Sequence, residues 1–212
     1  MSKCTFPTSG GIIIPQNPLT ITKTNRKHGT ILVGPPAAGK QGVAGALFNK
    51  GFVHYSSSDA LIDYSKRNKV PQVIEQMKAG DLVEFEHVER VSGWHYQDFI
   101  TYRQFGVFDG WCRVEREFRD VVGNLFRVCD VDVRILVLHA EYECAQKRSE
   151  GRGRFDHDVF DRRFKIYEEN RPAVIQRASK LFGADRVHEI DTTQLSKDQV
   201  VEKALSCYNF LT

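Results

Sequence analysis

Residues 31–42, the stretch that decides the fold, read Ile31-Leu32-Val33-Gly34-Pro35-Pro36-Ala37-Ala38-Gly39-Lys40-Gln41-Gly42. The spacing of Gly34 and Gly39-Lys40 fits a phosphate-binding P-loop, G-x-x-x-x-G-K. In such a loop, successive backbone N–H groups and the N-terminal end of the next helix point at the phosphates, while the lysine adds a mobile positive charge. Gln41 stands where many P-loops carry a Ser or Thr that contacts Mg²⁺.

The sequence around this loop has the order that a P-loop requires. Apolar residues 30–33 predict a short buried strand before it, and residues 41–50 predict a helix after it. Four more apolar runs alternate with helical patterns, at residues 52–55, 106–110, 133–138 and 187–190. The alternation predicts an α/β fold in which a five-stranded parallel sheet carries helices on both faces.

The composition excludes several classes of protein. A chain of 212 residues suits one α/β domain with small insertions. Its 30 Lys and Arg against 27 Asp and Glu give a net charge of +3, which argues against an extended nucleic-acid surface. The 5 cysteines form no C-x-x-C pair, which argues against a disulfide framework and a zinc site and favours a reducing, cytoplasmic compartment. We find no apolar run of about 18 residues that would span a membrane.

Residues 1–29 form an N-terminal extension before the predicted domain, which occupies residues 30–212. In one interpretation, Ile12-Ile13-Ile14 add an edge strand to the sheet. In the other, Pro7, Pro15 and Pro18 make the extension irregular. The sequence leaves open whether this extension binds a protein partner.

Polar residues follow several of the predicted strands. They lie in the P-loop, Ser56–Asp59, Asp109-Gly110 and Asp191-Thr192. Because ligands of open parallel sheets bind at the carboxyl ends of the strands, we expect these segments to converge on one cleft. Asp109 is either a turn residue or a carboxylate that holds Mg²⁺ through water. Arg113 either faces the same cleft or pairs with Glu117 on a helix surface.

Arginines are concentrated after residue 147. Arg148 and Arg152 lie four apart on one helical face, where like charges repel, and a polyphosphate would offset that repulsion. Arg154 and Arg162-Arg163 follow, and guanidinium groups match phosphate oxygens in pairs. The alternative is a solvated basic loop that pairs with the nearby acidic residues Asp156, Asp158 and Asp161.

These segments together resemble the nucleoside monophosphate (NMP) kinases of the adenylate kinase type, over about residues 31–211. Gly34–Lys40 resembles the P-loop of that family, and Ser56–Asp59 resembles its S-T-G-D segment. Gly80–Val83 is similar to its G-x-L-V stretch beside the acceptor base. Phe108–Arg113 resembles L-D-G-F-P-R, and Gly153–Asp156 resembles G-R-x-D.

The resemblance implies the reaction ATP + NMP ⇌ ADP + NDP, with Mg²⁺ held through water by Asp109. It implies a P-loop nucleoside-kinase-type three-layer sandwich, with an NMP-binding insert over residues 58–103 and a short lid over residues 149–157. The implied catalytic residues are Lys40, Arg113, Arg148, Arg152, Arg154 and Arg163. The implied ATP ligands are Gly34, Pro35, Ala37, Ala38, Gly39, Lys40, Gln41, Gly42, Arg148 and Gln194. The implied NMP ligands are Ser57, Val83, Gly110, Arg113 and Glu117.

The chain departs from this family in ways that leave its function open. Ile62 replaces an arginine that holds the acceptor phosphate, and Lys66 or Arg67 is the expected substitute. Glu117 replaces a glutamine that reads adenine; because a carboxylate only accepts hydrogen bonds, the acceptor base stays open. Further departures are Ala37, Gln41, Gly42 and Cys112. A catalytically degenerate nucleotide-binding or structural module is therefore a second hypothesis, and a kinase for a metabolite hydroxyl is a third.

Overall fold

The computed structural model describes residues 12–13, 26–122, 131–151 and 156–208. Its strands are β1 (Ile12–Ile13), β2 (Lys27–Val33), β3 (Val53–Ser56), β4 (Phe105–Asp109), β5 (Val131–His139) and β6 (Val187–Asp191). They form one sheet in the order β1-β3-β4-β2-β5-β6. Strands β2 to β6 run parallel to one another, which confirms the predicted five-stranded parallel sheet.

The sixth strand, β1, lies at the edge of this sheet. It pairs antiparallel with β3, with Ile12 opposite Tyr55 and Ile13 opposite His54. The edge-strand interpretation of the N-terminal extension is therefore the one observed for these two residues. Strand β2 begins at Lys27, three residues before the predicted start of the domain, because its first residues already pair with β4 and β5.

The helices are α1 (Lys40–Asn49), α2 (Ser57–Asn68), α3 (Pro71–Ala79), α4 (Phe85–Tyr102), α5 (Glu115–Glu117, continued by a π-helix over Phe118–Val122), α6 (Tyr142–Glu150), α7 (His157–Phe182) and α8 (Lys197–Ser206). The sequence predicts that Pro172 interrupts or kinks a helix, yet α7 runs through it without interruption. Tyr167 and Val174 on either side of Pro172 are buried, so packing against the core outweighs the lost hydrogen bond. No helix within the described ranges is long and apolar enough to cross a bilayer.

The side chains of β2 alternate between two hydrophobic cores. Ile31 and Val33 pack into the core beneath α2 and α4, and Leu32 packs into the core beneath α1 and α8. All three side chains are at least 95% buried. Both faces of the sheet are thus covered, as the run of consecutive apolar residues predicts.

A buried ionic cluster holds the amino-terminal end of the sheet together. Asp132 on β5 accepts a hydrogen bond from His28 Nδ1 at 3.2 Å and pairs with the guanidinium of Arg186. Arg134 lies 3.7 Å from the same carboxylate. Burial alone would raise the pKa of Asp132, but the bond from His28 and the charges of Arg186 and Arg134 outweigh it and lower that pKa.

We expect Asp132→Asn to lower the free energy of unfolding at pH 7 by about 2 kcal/mol, because it leaves the half-buried guanidinium groups of Arg186 and Arg134 without their carboxylate. Since the native pKa is depressed, this stabilisation is complete above the unfolded-state pKa of about 3.9 and is lost as pH falls below it. The difference in unfolding free energy between wild type and variant, measured by urea titration, should therefore shrink towards pH 3. The control is Asp185→Asn, whose carboxylate also pairs with Arg186 but is 79% exposed. An equal loss in both variants would contradict the assignment.

Candidate active site

The P-loop of this chain closes against the neighbouring strand. At Gly34, an added Cβ would lie 2.5 Å from the backbone oxygen of Leu138 on β5, so only glycine fits. Gly39 has a left-handed φ of 102° and precedes α1 directly. The N-cap Gly39 makes no side-chain cap hydrogen bond, and the N-terminal end of α1 has the polarity that favours an anion.

Lys40 is the first residue of α1, and its side chain turns back over the loop. Its Nζ donates to the backbone oxygens of Gly34 and Pro35, at 2.7 Å each. The ammonium group therefore lies inside the loop that would hold phosphate. Ala37 adopts a left-handed φ of 60°, a conformation that costs a non-glycine residue about 1 kcal/mol. The NMP kinases that the sequence resembles have a glycine at this position.

A cleft of about 780 Å³ opens over the P-loop at the carboxyl edge of the sheet. Its walls are the start of α2 (Ser56–Asp59), the end of α3 with the following turn (Met77, Gly80–Leu82), the segment Asp109–Arg113, and one face of α7 (Arg163, Ile166 and Tyr167). Three of the four strand-end segments expected to converge do so here. Asp191-Thr192 is not among the lining residues.

Asp109 and His54 lie side by side in this cleft, because Asp109 on β4 pairs with Ser56, two residues beyond His54 on β3. His54 Nε2 is 4.0 Å from Asp109 Oδ2. Burial lowers the pKa of His54 more than the carboxylates of Asp109 and Asp59 raise it, so the ring is neutral at pH 7.

Asp109 fits a magnesium ion bound through water. Among the described residues, no three His, Cys, Asp or Glu side chains gather into a metal-binding cluster. Mg²⁺, however, keeps several waters and takes its other ligands from one or two carboxylates and substrate phosphates. One cleft-lining carboxylate beside a P-loop provides that donor set, and Asp109 would be the residue that holds the ion.

Arg113 and Arg163 bring two guanidinium groups into the cleft from different elements. Arg113 donates from Nε to the Gly110 oxygen at 2.9 Å and from Nη2 to Ser57 Oγ at 3.4 Å. Arg163, at the rim, donates from Nη2 to the Met77 oxygen. Partial burial of its guanidinium, and then the like charge of Arg113, lower the pKa of Arg163. Within the described chain, no salt bridge joins either guanidinium to a carboxylate, although the Arg113 charge acts on the buried carboxylate of Glu117.

Other predicted residues lie elsewhere. The Arg148 guanidinium donates to the backbone oxygens of Thr192, Thr193 and Leu195, at 2.7, 3.3 and 3.0 Å, and does not line the cleft. Gln194, in the same turn, is exposed. Arg152 and Arg154 lie outside the described residues. The ATP-binding and catalytic roles of these four residues stay predictions.

Glu117, expected beside the acceptor base, is buried instead against the backbone. Its Oε2 accepts from the Arg113 backbone N–H at 2.6 Å, and the residue is not among those that line the cleft. Burial raises the pKa of Glu117, although the Arg113 charge and neighbouring N–H groups oppose the shift. Val83 is also buried, whereas Leu82 lines the cleft.

The residues that were expected to replace the missing arginine at position 62 do not reach the cleft either. Ile62 is half-buried, and neither Lys66 nor Arg67 is among the lining residues. Arg67 Nε pairs with Asp63 Oδ2 at 2.8 Å on the surface of α2. In the described part of the chain, the arginines that line the cleft are therefore Arg113 and Arg163.

Sequence reasoning missed an apolar wall beside these two arginines. Met77, Leu82, Trp111 and Ile166 line it. Leu82 is unusually exposed for a leucine, at 36%. The helical spacing of Arg163, Ile166 and Tyr167 was a usable signal, because residues three and four apart share a face of α7.

Comparisons with known proteins agree with this architecture. No protein-family model and no curated protein matches the sequence. Among solved structures, the chain is similar to a gluconokinase from Sinorhizobium meliloti 1021, with a TM-score of 0.59 and 16% identity. The alignment covers 86% of this chain and 93% of the gluconokinase. At this identity the likeness concerns the fold alone, and it agrees with the predicted α/β fold with a parallel sheet.

Proposed function

We propose that this chain is an ATP-dependent phosphotransferase that moves the γ-phosphoryl group of MgATP to a nucleoside monophosphate. The observation that carries the proposal is the pair Arg113 and Arg163, which faces the same cleft as Lys40 without a salt bridge to a carboxylate in the described chain. Two like charges that face one cleft are stabilised when an anion such as phosphate binds there.

The donor half of the reaction would rest on the P-loop. Backbone N–H groups of the loop and of the first turn of α1 would bind the β- and γ-phosphates, and Lys40 would exchange two loop carbonyls for phosphate oxygens. Mg²⁺, held through water at Asp109, would neutralise charge that develops during transfer. Arg163 and Arg113 would hold the acceptor and the transferring group in line. Such positioning and charge stabilisation are the main contributions of a protein to phosphoryl transfer.

The acceptor half favours a molecule with both an anionic group and a flat apolar part. The arginine pair supplies the first requirement, and the wall of Met77, Leu82 and Ile166 supplies the second. A nucleoside monophosphate has this combination, because its base buries an apolar face while its phosphate is charged. A polyhydroxy acid has no such apolar part.

A second candidate acceptor is a small hydroxylated acid, like the substrate named in the gluconokinase neighbour. It is favoured by the hydroxyl-rich wall of Ser56, Ser57 and Ser58. Ile62 also favours it, since the arginine that the NMP kinases use for the acceptor phosphate is missing there.

An acceptor screen separates these candidates. MgATP would be offered with AMP, CMP, UMP, GMP, their deoxy forms and gluconate, and ADP formation would be followed by a coupled assay. We expect transfer to at least one monophosphate, well above the rate of ATP hydrolysis without acceptor. Transfer to gluconate alone would replace the proposal with the second candidate. Calorimetric binding of ATP without transfer to any acceptor would favour the degenerate module.

A further inference from the structure

The end of α3 touches the first turns of α7 above the cleft, at what we term the α3–α7 clasp (Met77, Gly80, Asp81, Val159, Arg162 and Arg163). Asp81 Oδ1 pairs with Arg162 Nη1 at 2.9 Å. Gly80 packs so closely that an added Cβ would lie 2.9 Å from the Val159 backbone oxygen. The Met77 oxygen accepts from Arg163. Three kinds of contact therefore join segments more than seventy residues apart in the chain.

The clasp is important because its third contact, from Arg163 to the Met77 oxygen, orients the Arg163 guanidinium. This guanidinium and that of Arg113 line the same cleft, and their like charges repel each other. Arg163 has no carboxylate partner in the described chain, and the Met77 oxygen is the hydrogen-bond acceptor that the structure gives it. A guanidinium has five N–H donors, so one bond to Met77 fixes its orientation and leaves others for an anion.

Resting on the proposed function, we propose that Asp81 and Arg162 are positioning residues: their ion pair holds the end of α3 against α7, so that the Met77 oxygen keeps Arg163 beside Arg113 as one anion site. The ion pair itself cannot bind the anion, because Asp81 neutralises Arg162. It acts through the neighbouring residue, and it links the predicted acceptor-side insert to the helix that carries a predicted catalytic arginine.

The expected effect is modest, because the side chains of Asp81 and Arg162 are 46% and 50% exposed. Exposed ion pairs are weak and are screened by salt. The sign of the effect is nevertheless diagnostic. Asp81 is a negative charge that lines the cleft, so its removal should strengthen anion binding if only the local field matters. Positioning by the clasp predicts the opposite.

The test measures binding of inorganic phosphate to the full chain, with the P-loop filled by Mg²⁺ and a non-hydrolysable ATP analogue. In calorimetric titrations we expect Asp81→Asn to weaken phosphate binding about 2- to 5-fold at low salt, with the difference shrinking at high salt. Asp158→Asn is the matched control. It removes the same charge from the exposed first turn of α7, outside the clasp, and should leave binding unchanged or slightly tighter.

A charge exchange supplies the second arm. Asp81→Arg and Arg162→Asp should each disrupt the clasp, and the double variant should recover phosphate affinity to within about 2-fold of wild type. If the two residues acted only through the local electric field, the effects of the two single variants on phosphate affinity would add in the double variant. Tighter binding by Asp81→Asn, or an additive double variant, would overturn the proposal.

The readout also separates this inference from the proposed function. If no acceptor is phosphorylated but phosphate binding follows the expected pattern, the clasp stands and the NMP kinase proposal fails. If an acceptor is phosphorylated but Asp81→Asn binds phosphate like wild type, the clasp fails alone. Melting temperatures within about 2 °C of each other would show that all variants are folded.

Discussion

Replacement of Lys40 by alanine is expected to lower turnover about 10²-fold or more. The Lys40 ammonium lies within the loop, 2.7 Å from two carbonyl oxygens that a phosphate would replace. Loss of one preorganised charge at a transferring group removes about 3 to 4 kcal/mol of transition-state stabilisation. The measurement is initial rate against MgATP concentration, with the best acceptor from the screen held at saturation.

The matched control is Lys50→Ala. Lys50 follows the last turn of α1 and is exposed, at the far end of the helix from the loop. Its removal tests whether the loss of a lysine at the other end of α1 also lowers turnover. Retention of more than a tenth of the wild-type turnover by Lys40→Ala would refute the assigned role of the P-loop lysine.

Replacement of Gly110 by alanine is expected to lower kcat/KM for the acceptor about 10²-fold while ATP binding stays the same. Gly110 has a left-handed φ of 78°, and an added Cβ would clash with Ser57 Oγ, which is also a partner of Arg113. The clash would displace Ser57 and Arg113 together. Misplacement of a binding group by about 1 Å has effects of this size on in-line transfer.

Gly93→Ala provides the control, because an added Cβ on this α4 residue meets nothing within 4 Å. That change should leave kinetics unaltered and stabilise the helix by about 0.5–1 kcal/mol. ATP affinity, measured by calorimetry, should match wild type in both variants. A Gly110→Ala enzyme with unaltered acceptor kinetics would show that Arg113 does not need its present position.

Most of the fold follows from the sequence because its signals are local. The apolar run before the P-loop and the alternation of strands with helical patterns predict elements that the structure contains. The exceptions depend on tertiary packing. Pro172 continues a helix because residues on both sides of it are buried, and Ile12-Ile13 forms a strand because β3 offers an edge.

The site was harder to predict, because the direction of a long side chain depends on distant partners. Arg148 is drawn to three carbonyl oxygens that lie more than forty residues later in the chain. Glu117 turns to a backbone N–H that its position in the motif does not reveal. Arg163, by contrast, lines the cleft, and its partner Met77 belongs to α3, whose contacts with α7 no local pattern specifies.

The antiparallel pairing of Ile12-Ile13 has a consequence for solubility. Without these two residues, β3 would end the sheet with open N–H and C=O groups, and exposed sheet edges invite pairing with other chains. In this protein a short piece of the N-terminal extension occupies that position. It thereby protects the sheet edge from edge-to-edge aggregation, independently of any chemistry in the cleft.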